Sequence, residues 1–221
     1  MAEFKKIVER LRNMVLSFKG PINILICRLD LDSLATAFTL EYYVSCVLGN
    51  NGRIRIFYNG GIDQTFLRVM FDHFKLPNAG GIKNISEFDK EGNHIFIDAT
   101  DSCGMKVPKN KLSVVIGDAG NEITHSHSKN TLIFHGHSLS ACAIVFNIIC
   151  KSGHFRFEEK GYGSIPFLLA IVMNQEIKQK NKKTEPNLNV YGRIMDYIEF
   201  SKFHRLYDEL PREVLRVIEK I

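Results

Sequence analysis

Ile22-Asn23-Ile24-Leu25-Ile26-Cys27-Arg28-Leu29-Asp30-Leu31-Asp32-Ser33-Leu34-Ala35-Thr36-Ala37-Phe38 is the stretch that decides the fold. Four of its first five residues are apolar and three of them β-branched, with Asn23 the exception, which suits a strand buried on both faces. From Leu34 the spacing changes: Leu34, Ala35, Phe38, Tyr42 and Leu48 lie on one side of a helix that ends before Gly49. Asp30 and Asp32 stand between the two patterns, just past the carboxyl end of the strand. Open α/β sheets bind ligands at that edge. Asp32 or Ser33 would serve as the helix N-cap. A cap accounts for one acidic residue. Two carboxylates a residue apart repel each other unless a cation or several donors hold them, and oxygen-rich pairs suit Mg²⁺ or Mn²⁺.

The flanking sequence extends the same alternation. Phe4, Ile7, Val8, Leu11, Met14, Val15 and Phe18 predict an amphipathic helix over residues 3 to 18, stopped by Gly20-Pro21. Further strands are predicted at Ile54 to Tyr58, Ile95 to Ile97, Leu112 to Ile116 and Thr131 to Phe134. Helices are expected near residues 63 to 75, at Ser138 to Cys150 with Ser138 or Ser140 as cap, and at Ile165 to Ile177. This pattern predicts an α/β fold: a doubly wound, mainly parallel five-stranded sheet with helices on both faces. Four of the five strand ends carry Asp or His: Asp30 with Asp32, Asp98 with Asp101, Asp118, and His135 with His137. Acidic ends gathered on one edge of a sheet describe a site.

The chain has 221 residues, 45% hydrophobic and 24% charged, enough for one sizeable core. Residues 1–183 form the expected α/β domain. The charged run Lys178 to Lys183 is a linker or edge. Residues 184–221 form a short C-terminal helical extension of two helices, the second begun at Pro211, which packs on the sheet domain or on a partner. The net charge of +5 admits an anionic ligand without demanding nucleic acid. No apolar run matches a membrane helix or a signal peptide, and five scattered cysteines without a Cys-x-x-Cys pair point to reduced thiols, so a cytoplasmic location is expected.

In order and spacing, residues 20 to 177 resemble the DHH phosphoesterases, the family of RecJ-type exonucleases, nano-RNA and cyclic-dinucleotide phosphodiesterases and family II pyrophosphatases. Cys27 to Ala37 is similar to the family's first motif, Ile95-Phe96-Ile97-Asp98-Ala99-Thr100-Asp101 to its second, and Val114 to Gly120 falls where the Asp-His-His stands. Ala170-Ile171-Val172-Met173-Asn174-Gln175 falls on the fourth, usually Gly-Ile-x-x-Asp-Thr. The resemblance implies a Mn²⁺ or Mg²⁺ ion held by Asp30, Asp32 and Asp98, catalytic roles for Asp98 and Asp118, and a phosphate contact for Arg28, which is otherwise an exposed ion-pair partner. It implies as ligand a nucleotide or short oligonucleotide and, in an active protein, a metal-dependent phosphodiesterase or phosphatase.

Four positions depart from the family: Cys27 stands near the first histidine, Ala119 and Gly120 replace the paired histidines, and Asn174 replaces the last aspartate. The family's second, substrate-binding domain has no counterpart in these residues. Among His125, His127, His135 and His137, the last two are better placed to substitute, with Asn174 as a further candidate ligand; each histidine otherwise reads as a surface or capping residue. Two functional readings follow: a metal-dependent phosphodiester-binding or hydrolysing domain, and a degenerate member acting as a nucleic-acid- or protein-binding subunit with a protein partner or as a homodimer. A receiver-type phosphoaspartyl fold shares the acidic strand ends, but the lysine it needs after its last strand has no counterpart in this sequence.

Overall fold

A computed structural model describes residues 2–49, 54–59, 69–70, 72–74, 82–88, 92–97, 113–118, 131–136, 140–152, 157, 162–178 and 185–219, with Asp118, the strand at 131–136 and several positions at helix and strand ends described by backbone alone. Six parallel strands form one sheet: β1 (Ile22–Ile26), β2 (Ile54–Tyr58), β3 (Ile82–Asn84), β4 (Asn93–Ile97), β5 (Ser113–Asp118) and β6 (Thr131–Gly136). Their order is β3-β2-β1-β4-β5-β6. The α/β class and the parallel sheet agree with the sequence pattern. The five expected strands are all present, and β3, three residues long at one edge, is added to them. Such a short strand shows no period of its own.

The helices are α1 (Ala2–Ser17), α2 (Leu31–Tyr42), α3 (Ala141–Ser152), α4 (Ile165–Lys178), α5 (Glu185–Ile198), α6 (Phe200–Asp208) and α7 (Arg212–Glu219), with positions 69, 70 and 72–74 also helical. One face of the sheet, carrying Ile22, Ile24, Ile26, Ile56, Ile95, Ile97, Val114 and Ile116, shares a large core with buried side chains of all seven. Val8, Leu11, Met14, Val15 and Phe18 enter it from α1 and its end, as the spacing predicts. The pleat turns Leu25, Phe57, Phe96 and Val115 to the other face, with Cys27 just beyond β1. There they meet Ile85 and Phe88, in and next to a 3₁₀ turn at Ile85–Glu87. The connections from β4 to β5 and from β5 to β6 lie outside the described residues.

The C-terminal segment forms three helices where two were expected, because Glu199 takes a left-handed φ of 63° and breaks α5 from α6. Pro211 precedes α7, and its carbonyl accepts the Leu215 N–H at 3.0 Å. Val190, Ile194, Met195, Phe203, Leu210, Val214 and Ile218 bury in the same core as the sheet. Gln175 of α4 donates to the Ile218 carbonyl at 2.7 Å, tying the last helix to the apolar helix at the domain's centre.

Candidate functional site

The strand order reverses between β1 and β4. The chain runs from β1 outward to β3, then crosses to β4 on the other side of β1. In open parallel sheets the crevice at that reversal, beyond the carboxyl ends, is where ligands bind. Ile26 and Ile97, the last residues of β1 and β4, are register partners. Cys27 N–H donates to the Ile97 carbonyl at 3.1 Å, and Asn59 N–H to the Ile26 carbonyl at 2.9 Å, so the end of β1 is held on both sides. Asp98 follows Ile97 directly in sequence; its own placement lies outside the described residues.

Asp30, not Asp32 or Ser33, is the N-cap of α2. Its φ of −138° is extended, and its Oδ1 accepts the Ser33 N–H at 2.9 Å. Ser33 Oγ accepts the Asp30 N–H at 3.0 Å, closing a capping box. The Ser33 hydroxyl donates onward to the Arg28 carbonyl at 2.6 Å. Helix periodicity identifies a face but not the residue at which the backbone leaves the extended region, so the sequence pattern places the cap at Asp32 or Ser33, two or three residues late.

Asp32 has a different partner. Its Oδ2 accepts the Ala141 N–H at 3.1 Å and its Oδ1 the Cys142 N–H at 3.0 Å, both at the start of α3. The carboxylate therefore meets the positive end of a second helix. Ser140 caps that helix from within, Oγ accepting the Ala143 N–H at 3.3 Å, and its hydroxyl lies 3.6 Å from Met173 Sδ on α4. Asn174 follows Met173 and is half-buried. The fold thus gathers Asp32, the beginning of α3 and the fourth-motif stretch of α4. The start of α3 is a part of this site that sequence reasoning missed. Ser140 marked it as a cap, but nothing local announces a partner more than a hundred positions away.

Arg28 is 84% exposed at its side chain and its Nε lies 3.8 Å from Asp30 Oδ2, a loose surface pair. Such pairs contribute about 0–1 kcal/mol and leave the guanidinium available. Cys27 is buried against Leu25, Phe57, Phe96 and Val115 and faces the sheet's second core. Asp118 and His135 sit near the carboxyl ends of neighbouring strands, Asp118 opposite Gly136 and Gly117 opposite His135; only their backbones are described. Asp101, Ala119, Gly120, His125, His127 and His137 lie outside the described residues.

Among the described residues, no group of three His, Cys, Asp or Glu is placed to hold a metal ion. Of the acids expected at this site, Asp30 and Asp32 are described with their side chains; both carboxylates accept hydrogen bonds and keep further lone pairs on hard oxygens. That donor chemistry fits Mg²⁺ or Mn²⁺.

This backbone has a solved counterpart. The chain is similar in fold to an exopolyphosphatase-related protein from Bacteroides fragilis. The TM-score is 0.60 at 11% sequence identity, and the match covers 96% of this chain. The chain spans 63% of that protein's length. No family profile matches the sequence, and no curated protein matches it. Among the described residues no helix is long and apolar enough to cross a membrane.

Proposed function

We propose that this chain is a phosphoesterase-type domain that binds a phosphorylated ligand, a nucleotide or short oligonucleotide, at the carboxyl edge of its sheet. The observation that supports it is the position of the Asp30–Asp32 pair at the reversal between β1 and β4, with Asp98 next in sequence after β4. The fold shared with an exopolyphosphatase-related protein agrees with phosphoester chemistry. Asp30, Asp32 and Asp98 would hold one Mn²⁺ or Mg²⁺. When bound, the cation supplies charge that polarises a phosphoryl oxygen and lowers the pKa of water. Arg28, exposed beside the pair, offers a planar donor for phosphate. Asp98 and Asp118 are the carboxylates assigned to proton handling.

A paired-cation centre needs ligands that Ala119 and Gly120 do not provide, so turnover is expected to be slow. The capping roles of Asp30 and Asp32 favour a second reading, a binding subunit without catalysis, since both acids have structural work to do.

Calorimetric titration with Mn²⁺, followed by a dinucleotide hydrolysis assay, tests this. Micromolar Mn²⁺ binding that is lost in Asp98→Ala supports the metal-dependent domain. Nucleotide binding with no hydrolysis supports the binding subunit. A protein that binds neither Mn²⁺ nor nucleotide is outside both readings.

A further inference from the structure

At the end of α2 away from Asp30, Glu41 is 7% exposed, with Oε2 buried and without a hydrogen-bond partner. A lone carboxyl oxygen in an apolar core destabilises the charged form. Right after it the helix widens into a π-turn, Tyr43–Val47, with Leu48 N–H bonded to the Tyr43 carbonyl at 2.9 Å. Such turns are rare and mark positions where a helix departs from its best geometry. Ser45, Cys46, Val47 and Leu48 are only half-buried, whereas α2 before them is almost wholly buried.

Tyr162, from the segment entering α4, closes over this end. Its phenol is hydrogen-bonded to Ser45, and its pKa is raised by burial first, then by the nearby Glu41 and Cys46. The Tyr42 ring packs on Tyr162 at 5.4 Å and on Phe157 at 4.3 Å. Phe157 packs on Tyr197, which with Cys150, Arg193 and Asp196 lines an open cavity of about 480 Å³.

We propose that Glu41, the π-turn Tyr43–Val47 and Tyr162 form a proton-gated latch, closed while the Glu41 carboxyl holds its proton and loosened when the proton passes to water. Burial alone raises the Glu41 pKa, to about 7. The titratable group facing it is the Tyr162 phenol, which the Cys46 thiol also approaches. α3 brings Cys142 at its start against Asp32, and Lys151 and Cys150 at its other end, where Cys150 bonds to Arg193. α4 brings no titratable side chain among those described, and β1 and β4 turn Cys27 and His94 toward the other face. None of them offsets the carboxylate charge.

The sign follows from the raised pKa. The closed state binds the proton more tightly than the open one, whose carboxyl titrates near 4.5. Closure is therefore firm below pH 4.5, weakens tenfold per unit up to about 7 and then levels.

Hydrogen exchange of the 41–48 amides, corrected for intrinsic rates, is the readout. Between pH 5 and 7 the wild type should lose protection about 40-fold. Glu41→Gln, permanently neutral, should stay flat. NMR titration of the wild-type Glu41 carboxyl should give a midpoint well above 4.5. Equal pH dependence in the two proteins overturns the latch. So does a wild-type midpoint near 4.5, which decides the matter even if the glutamine variant fails to fold. The latch does not depend on the phosphorylated-ligand reading, and neither experiment involves a ligand.

Discussion

Asp32 and Cys142, 110 positions apart, meet at 3.0 Å, the carboxylate accepting the backbone N–H that opens α3. The neighbouring Ala141 N–H reaches the other oxygen at 3.1 Å. One acidic side chain in the first turn of α2 thus binds the start of a helix that follows the last strand, and it holds the two helices together above the sheet edge.

Asp32→Ala should destabilise the protein by about 2–3 kcal/mol, because two charge-assisted bonds are lost and two helix-end donors are left without their acceptor. Asp32→Asn keeps one acceptor oxygen and should cost about 1 kcal/mol. Urea denaturation midpoints measure both. A loss below about 0.5 kcal/mol for alanine would mean that water replaces the carboxylate readily.

Asp30 separates structure from chemistry. Asp30→Ala should lose about 1 kcal/mol as the cap of α2 disappears, while Asp30→Asn should stay within about 0.5 kcal/mol of wild type. Under the proposed function both variants should bind Mn²⁺ more weakly, since each removes a charged oxygen donor. Thermal unfolding combined with Mn²⁺ calorimetry checks the pair. Undiminished binding in Asp30→Asn would remove Asp30 from the ligand set.

Gly92 precedes β4 with a φ of +86°, and a Cβ there would run into the Pro21 carbonyl oxygen. That carbonyl accepts the Asn93 N–H at 2.9 Å, and Asn93 Nδ2 donates to the Lys19 carbonyl at 3.0 Å. Gly92→Ala combines a disfavoured backbone region with a close approach that cannot relax without breaking this joint. A loss of about 2 kcal/mol or more is expected in chemical denaturation.

Ala119→His with Asn174→Asp would return two side chains of the kind the resembled family uses. Asn174 offers a neutral oxygen where a carboxylate would add charge. Under the proposed function the double variant should bind Mn²⁺ more tightly than wild type and gain hydrolysis of a dinucleotide. Calorimetry and product analysis by chromatography follow both. Wild-type turnover near about 10 s⁻¹, the median for enzymes, would instead show that other residues already complete the site.

The elements of this chain were legible because their causes are local. Ile22 to Ile26 is apolar at every position but Asn23, so it belongs inside a parallel sheet, and the strand positions at 54–58 and 131–134 follow from similar short runs. The position of Asp30 and Asp32 between a strand and a helix was equally plain. What each carboxylate does was decided only by the tertiary structure. Asp30 caps α2 because the backbone turns there, and Asp32 caps α3 because packing brings that helix alongside α2. The same holds for the strand order, the edge strand β3 and the burial of the last three helices in the sheet's core. Periodicity tells a residue which face it occupies. Which other face it meets depends on contacts between distant segments, and no local pattern carries that information.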